Sequence, residues 1–133
     1  MAFPRVLLAD DTPEMLQKIA QLLRNDFDIV GLVRDGREAL ECAAIADIDL
    51  FILDITMPVI DGFQIASRLR AEGRKAKIVF VTAHEDQDYI EAAWSVGAVG
   101  YVTKSRLASD LIPALKDALA GRIFNSLPES KHS

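Results

Sequence analysis

The chain has 133 residues, half of them hydrophobic and 26% charged, with a formal net charge of −5. This length supports one domain around one apolar core, and the balance of apolar to charged residues excludes intrinsic disorder. Seven glycines and five prolines exclude collagen-like and low-complexity chains, and a single cysteine, Cys42, excludes a disulfide framework or a cysteine-rich zinc site. The acidic balance argues against nucleic-acid binding by this segment, and no apolar stretch reaches the roughly 20 residues that span a bilayer. Met1-Ala2-Phe3-Pro4-Arg5 lacks the pattern of a secretion signal, so the expectation is a soluble cytoplasmic domain.

Five short apolar runs follow one another: Val6 to Ala9, Asp28 to Val33, Leu50 to Leu53, Ile78 to Val81 and Val99 to Val102. Their length and their Val, Ile, Leu and aromatic content predict strands, most of them buried on both faces. The segments between them have helical spacing. Met15, Ile19, Leu22 and Leu23 share a face behind Thr12, a candidate N-cap, and Pro13 at the first helical position. A second helix runs from Gly36 through Ala39, Leu40 and Ala43 to about Ala46. A third carries Phe63, Ile65, Ala66 and Leu69 and stops at Gly73. A fourth spans Tyr89 to Val96 and stops at Gly97. The last spans Leu107 to Leu119 and stops at Gly121, with Pro113 requiring a kink or a late regular start. Residues 122–133 lose periodicity and read as a tail or the start of a linker, which leaves residues 1–121 as the folded unit. Strand and helix alternating five times predict an α/β fold, a parallel sheet covered on both faces by helices.

In such a sheet the ligand site lies beyond the carboxyl ends of the strands. The residues there are Asp10 and Asp11 after the first run, and Asp54 followed by Ile55-Thr56-Met57-Pro58 after the third. Thr82-Ala83-His84 follow the fourth run, and Thr103-Lys104-Ser105 the fifth. Taken singly, each has a plain structural reading. An aspartate after a strand caps a helix, a threonine continues a strand, and a lysine is a solvated surface charge. Together they read as a site. Three carboxylates at close range raise one another's pKa, which a divalent cation with oxygen preference relieves. A lysine and a threonine hydroxyl suit phosphoryl oxygens, and an aspartate can accept a phosphoryl group as an acyl phosphate. No Gly-rich phosphate loop supports nucleotide binding, and His84 and His132 with one distant cysteine make no zinc site.

These residues resemble the response-regulator receiver domain of two-component signalling. The resemblance covers Arg5 to Gly121 and rests on five features: Asp10-Asp11, Asp54-Ile55-Thr56-Met57-Pro58, Asp61-Gly62, Thr82-Ala83 and Gly100-Tyr101-Val102-Thr103-Lys104. It implies a flavodoxin-like, five-stranded parallel sheet of order 2-1-3-4-5. It also implies that Asp54 is phosphorylated by a sensor histidine kinase or phosphotransfer protein, with Mg²⁺ (or Mn²⁺) as cofactor. By the same resemblance, Asp11, Asp54 and the backbone carbonyl of Thr56 ligate the metal directly, and Asp10 acts through a metal-bound water. Lys104 and Thr82 contact the phosphoryl group, Thr82 and Tyr101 form the switch, and the altered surface lies on the fourth helix, fifth strand and fifth helix. His84, Met57 and Pro58 border the site. Met15, Gln17 and Lys18 on the first helix are candidate kinase contacts.

One departure from the commonest receiver pattern is Ser105, where many receivers carry proline after the lysine. That residue, and the ending Ala120-Gly121-Arg122-Ile123-Phe124, are similar to the branch with LuxR or nitrate-regulator-type DNA-binding effectors. The expectation is therefore a receiver whose output is a DNA-binding effector, with phosphorylation-enhanced homodimerisation and catalysis only of its own phosphoryl gain and loss. A stand-alone regulator is the alternative. Two other classes compete. A haloacid-dehalogenase-type phosphatase would carry a second acid where Thr56 stands, and an interaction module without phosphorylation would lack some of the site residues.

Overall fold

The five apolar runs form strands, and the segments between them form helices. The computed structural model describes residues 2–127. In chain order the elements are β1 (Arg5–Ala9), α1 (Pro13–Leu23), β2 (Asp28–Val33), α2 (Gly36–Ile45), β3 (Leu50–Leu53), α3 (Gly62–Ala71), β4 (Lys77–Thr82), α4 (Gln87–Ser95), β5 (Gly100–Thr103), α5 (Leu107–Leu119) and β6 (Phe124–Asn125). The sheet is parallel throughout, in the order β2-β1-β3-β4-β5-β6. Its first five strands have the flavodoxin-like order expected from the resemblance. A sixth strand is added where five were expected.

Alternation along the central strands divides the interior into two layers. Leu7, Phe51, Leu53, Phe80 and Tyr101 face one cluster, and Val6, Leu8, Leu50, Ile52, Val79 and Val102 face the other. The first layer holds side chains of α2, α3 and α4; the second holds those of α1 and α5. Central strands buried on both faces explain why their sequence is continuously apolar rather than alternating. Edge strand β2 is only half-buried.

Gly73 (φ +74°) and Gly97 (φ +93°) end their helices in the left-handed conformation that glycine adopts without penalty. Thr12 stands at the α1 N-cap with Pro13 behind it, but its hydroxyl makes no cap bond. Helix α5 runs unbroken through Pro113, because the proline lies on the exposed face, where water can serve the carbonyl deprived of its amide. The sixth strand has a simple origin. Phe124 and Asn125 pair with Gly100 and Tyr101, and Phe124 packs onto the α5 side of the core. Two residues are too few to show periodicity, so the tail reading of this stretch missed them. Residues 128–133, including His132, lie outside the described residues. Among those described, no helix is long and apolar enough to cross a membrane.

Candidate functional site

Backbone pairing sets the floor of the site. The amide of Asp10 donates to the Val33 carbonyl at 3.1 Å, and that of Asp54 to the Ala9 carbonyl at 2.9 Å. Both carboxylates therefore start at the same carboxyl edge, on adjacent strands β1 and β3. Both are buried, with Asp10 1% and Asp54 6% exposed, whereas Asp11 is exposed. One carboxylate oxygen from each of the three lies within 4.8 Å of the others.

Lys104 follows β5 directly and closes the site from the other side. Its ammonium lies 2.9 Å from Asp10 Oδ2 and 3.0 Å from Asp54 Oδ2. Asp54 Oδ1 accepts the Ile55 amide at 2.7 Å, and Asp10 Oδ1 accepts the Thr12 amide at 2.9 Å, turning the chain into α1. Asp10 Oδ2 is buried with the ammonium as an ion-pair neighbour but off any hydrogen-bond direction. Burial pushes the Asp54 carboxyl above the usual carboxylate range. Its bond to Lys104 and the lysine's charge oppose that rise, and the charge of Asp10 adds to it. For Lys104, burial favours the neutral amine, but its close contacts with Asp10 and Asp54 and the attraction of both carboxylates win and hold it above its ordinary value.

The β4 end supplies a second layer. Thr82 is fully buried, and its hydroxyl accepts the His84 amide at 3.3 Å. Tyr101 points inward, fully buried, and its hydroxyl donates to the His84 carbonyl at 2.8 Å. Burial drives its phenol well above the ordinary tyrosine value. The His84 ring stacks on Tyr89, with centroids 4.0 Å apart and planes 9° apart, and its Nε2 lies 2.8 Å from Thr56 Oγ1. His84 thus links the residue two places after Asp54 to both Thr82 and Tyr101.

The loop after Asp54 is tightly held. The Ile60 amide donates to the Pro58 carbonyl at 2.8 Å, closing a three-residue turn around Val59 at φ +71°, a strained conformation for a β-branched residue. Asp61 and Gln64 form a reciprocal capping box at the start of α3. Gly62 donates to the Ile55 carbonyl at 2.8 Å, and a Cβ there would lie 2.3 Å from the Asp54 carbonyl oxygen. Only glycine admits this approach.

The strand-end residues Asp10, Asp11, Asp54 and Lys104 meet as expected, with Thr82 at the neighbouring strand end. Thr56 and Pro58 stand exposed on the rim, while the side chain of Met57 is buried in the core and borders the site only through a shallow groove shared with Thr56 and Tyr89. Sequence reasoning missed Tyr89 as a partner of His84, and the bond of 3.0 Å from Ser105 Oγ to Glu85. It also missed Asp110. The available signal was a carboxylate falling on the apolar face of α5, among Leu107, Leu111 and Ala114.

Residues 6–116 match the family of the response regulator receiver domain. The transcriptional regulatory protein PdtaR of Mycobacterium tuberculosis is 41% identical over 117 residues, covering 87% of this chain, and the chain spans only 57% of that relative's length. The chemotaxis protein CheY of Halobacterium salinarum is 31% identical, with 86% of this chain and 96% of that protein covered. Among solved structures, a two-component response regulator of the LuxR family from Aurantimonas sp. SI85-9A1 superposes with a TM-score of 0.86 at 29% identity, covering 92% of this chain and 89% of that one. With its fold, its strand-end carboxylates and this matched stretch in agreement, the chain belongs to the response regulator receiver domain family.

Proposed function

We propose that Asp54 accepts a phosphoryl group from a sensor histidine kinase or phosphotransfer protein in a Mg²⁺-dependent reaction, Mn²⁺ being able to substitute. The observation that carries this reading is the shared ammonium of Lys104, which joins two buried carboxylates at one sheet edge. In the reaction an Asp54 carboxylate oxygen attacks phosphorus, the donor's P–N bond breaks, and the histidine nitrogen leaves with the electron pair. Lys104 holds the acceptor carboxylate and can follow the charge onto the transferred group. Thr82 can donate its hydroxyl proton to a phosphoryl oxygen. Tyr101, tied to the backbone of the residue two places beyond Thr82, is placed to respond when that hydroxyl moves. The family's output surface, α4, β5 and α5, carries the response.

The donor set suits a hard divalent ion. Three carboxylates against one ammonium leave an excess of negative charge, and Asp10 Oδ2 has no directed hydrogen bond. Asp10, Asp11, Asp54 and the Thr56 carbonyl would hold the ion, which when bound offsets charge on the carboxylates and the incoming phosphoryl oxygens.

The donor would approach over α1. A cleft of about 300 Å³ lined by Lys18, Gln21, Leu22, Lys104, Ser105, Leu107 and Ala108 opens beside the site, and of the α1 residues expected to meet the donor it takes in Lys18 but not Met15 or Gln17. The receiver unit expected over residues 1–121 extends in this reading through β6 (Phe124–Asn125), and the stretch beyond it leads toward an output segment. Similarity to PdtaR and to a LuxR-family regulator supports transcriptional control through a DNA-binding effector as that output. Phosphorylation is expected to favour a homodimer, which light scattering with and without a phosphoryl mimic would detect as a doubled mass.

Intact mass after incubation with acetyl phosphate and Mg²⁺ tests the central claim. One phosphoryl adduct is expected, absent from Asp54→Asn and absent with EDTA. An adduct retained in the variant moves the acceptor elsewhere. Repeated turnover of a phosphate ester would replace the switch with a phosphatase, and no adduct from any donor would leave an interaction module.

A further inference from the structure

A buried polar cluster lies behind Lys104, outside the phosphorylation chemistry. The Asp110 carboxylate is 8% exposed on the inner face of α5, and Ser126 is 5% exposed just past β6. Ser126 Oγ donates to Asp110 Oδ2 at 2.7 Å and accepts the Thr103 amide at 3.2 Å. The Ser126 amide donates to the Tyr101 carbonyl at 2.8 Å. Arg106 Nε at 3.0 Å and Ser109 Oγ at 2.9 Å complete the Asp110 shell. From Thr103 the chain of contacts continues through its hydroxyl to Ser105 Oγ at 3.3 Å, and from there to Glu85 at 3.0 Å.

Two consequences follow from this placement. A buried carboxylate and hydroxyl are costly unless every partner is held, so the cluster acts as a unit. It also grips the segment leaving α5 along the free edge of the switch strand, opposite β4. Ser126 touches the main chain of Tyr101 and of Thr103, and Lys104 is the next residue. Movement of Lys104 or Tyr101 must therefore strain or release the Ser126 contacts, and a pull on residues beyond 126 must reach Lys104 by the same bonds.

We propose that the Asp110–Ser126 clasp couples the segment leaving the receiver to the phosphorylation site, with Asp110 and Ser126 as positioning residues that act on Lys104 and Tyr101 through β5. This inference rests on Asp54 being the phosphoryl acceptor and adds how that site communicates with whatever the chain carries beyond Ser126.

The test uses the 133-residue chain with Mg²⁺ and beryllofluoride as the phosphoryl mimic. Fluorine NMR reports occupancy, and amide exchange reads Thr103 and Ser126. Full occupancy should change protection of these two amides by about fivefold or more, the low end of couplings between linked sites. By reciprocity, Ser126→Ala and Asp110→Asn should each shift the mimic's Kd by a comparable factor. A merely structural clasp would leave that Kd unchanged in folded variants. Full occupancy with unaltered exchange at Thr103 and Ser126 overturns the proposal whether or not the variants fold. Absence of bound fluoride in the unaltered protein overturns instead the phosphoryl-acceptor reading, and the coupling with it.

Discussion

The ammonium of Lys104 sits 3.0 Å from Asp54 Oδ2, joining residues fifty positions apart. The contact exists because β3 and β5 flank β4 in one parallel sheet, which brings their carboxyl ends to the same edge. The same ammonium lies 2.9 Å from Asp10, so one cation is shared between two buried anions. Removing the lysine leaves two buried anions facing each other, whereas removing either carboxylate leaves a matched pair.

Lys104→Met leaves Asp10 and Asp54 facing each other without a counter-charge. Loss of one partner of a buried pair costs about 3–5 kcal/mol, and the partial exposure of this lysine brings the expected loss to about 2 kcal/mol. Urea titration at pH 7 measures it. The deficit should shrink in acid, where the raised Asp54 carboxyl takes up its proton and one of the two facing charges disappears. A deficit that persists there would assign the loss to packing of the lysine stem.

Asp54 carries a pH signature of the opposite kind to an ordinary ion-paired acid. Its carboxyl is raised by burial, so the folded state holds that proton more tightly than the unfolded chain does. Stability from this group is therefore complete below the unfolded value and falls as pH rises toward the folded one. Asp54→Asn removes the buried charge while Asp10 keeps its hold on Lys104. The variant should be more stable at pH 7 by about 1 kcal/mol, the range typical when a functional strain is relieved, with the gain gone below about pH 4. Equal stability at pH 7 would mean that the lysine fully offsets the desolvation.

Gly62→Ala tests the geometry under the acceptor. Its Cβ would lie 2.3 Å from the Asp54 carbonyl oxygen and 3.0 Å from Phe80 Cε1, both in packed backbone or core. Overpacking of this kind costs about 3 kcal/mol. Because the clash falls on the acceptor residue itself, adduct formation should slow more than in any surface variant of similar stability. A folded variant that phosphorylates at the unaltered rate would show that the loop can shift without moving the carboxylate.

His84→Ala removes the link from Thr56 Oγ1 and the stack on Tyr89 while keeping the backbone bonds to Thr82 and Tyr101. Loss of this cover should admit water to the adduct. A hydrogen bond of about 1 kcal/mol corresponds to roughly a fivefold change in rate, so the adduct should hydrolyse about fivefold faster. Mass spectrometry over time after removal of acetyl phosphate reads it. An unchanged lifetime would confine His84 to holding Tyr89.

Much of this is legible in the sequence. Strand positions follow from short continuous apolar runs and helix positions from apolar spacing near 3.6 residues, both of which are local information. The strand-end positions of Asp10, Asp11, Asp54, Thr82 and Lys104 follow from the ends of those runs, since a parallel sheet exposes all its carboxyl ends on one edge. Other features depend on contacts across long stretches of sequence. That Asp10 and Asp54 are buried while Asp11 is exposed is set by β1 lying between β2 and β3. That His84 stacks on Tyr89 and reaches Thr56 is set by side-chain rotamers at the rim of the site. Phe124–Asn125 join the sheet because β5 presents an open edge and Asp110 stands below it to receive Ser126. Such a pairing leaves no periodic trace in two residues, because its free energy comes from partners far back along the chain, Gly100 and Tyr101 for the strand and Asp110 and Thr103 for Ser126.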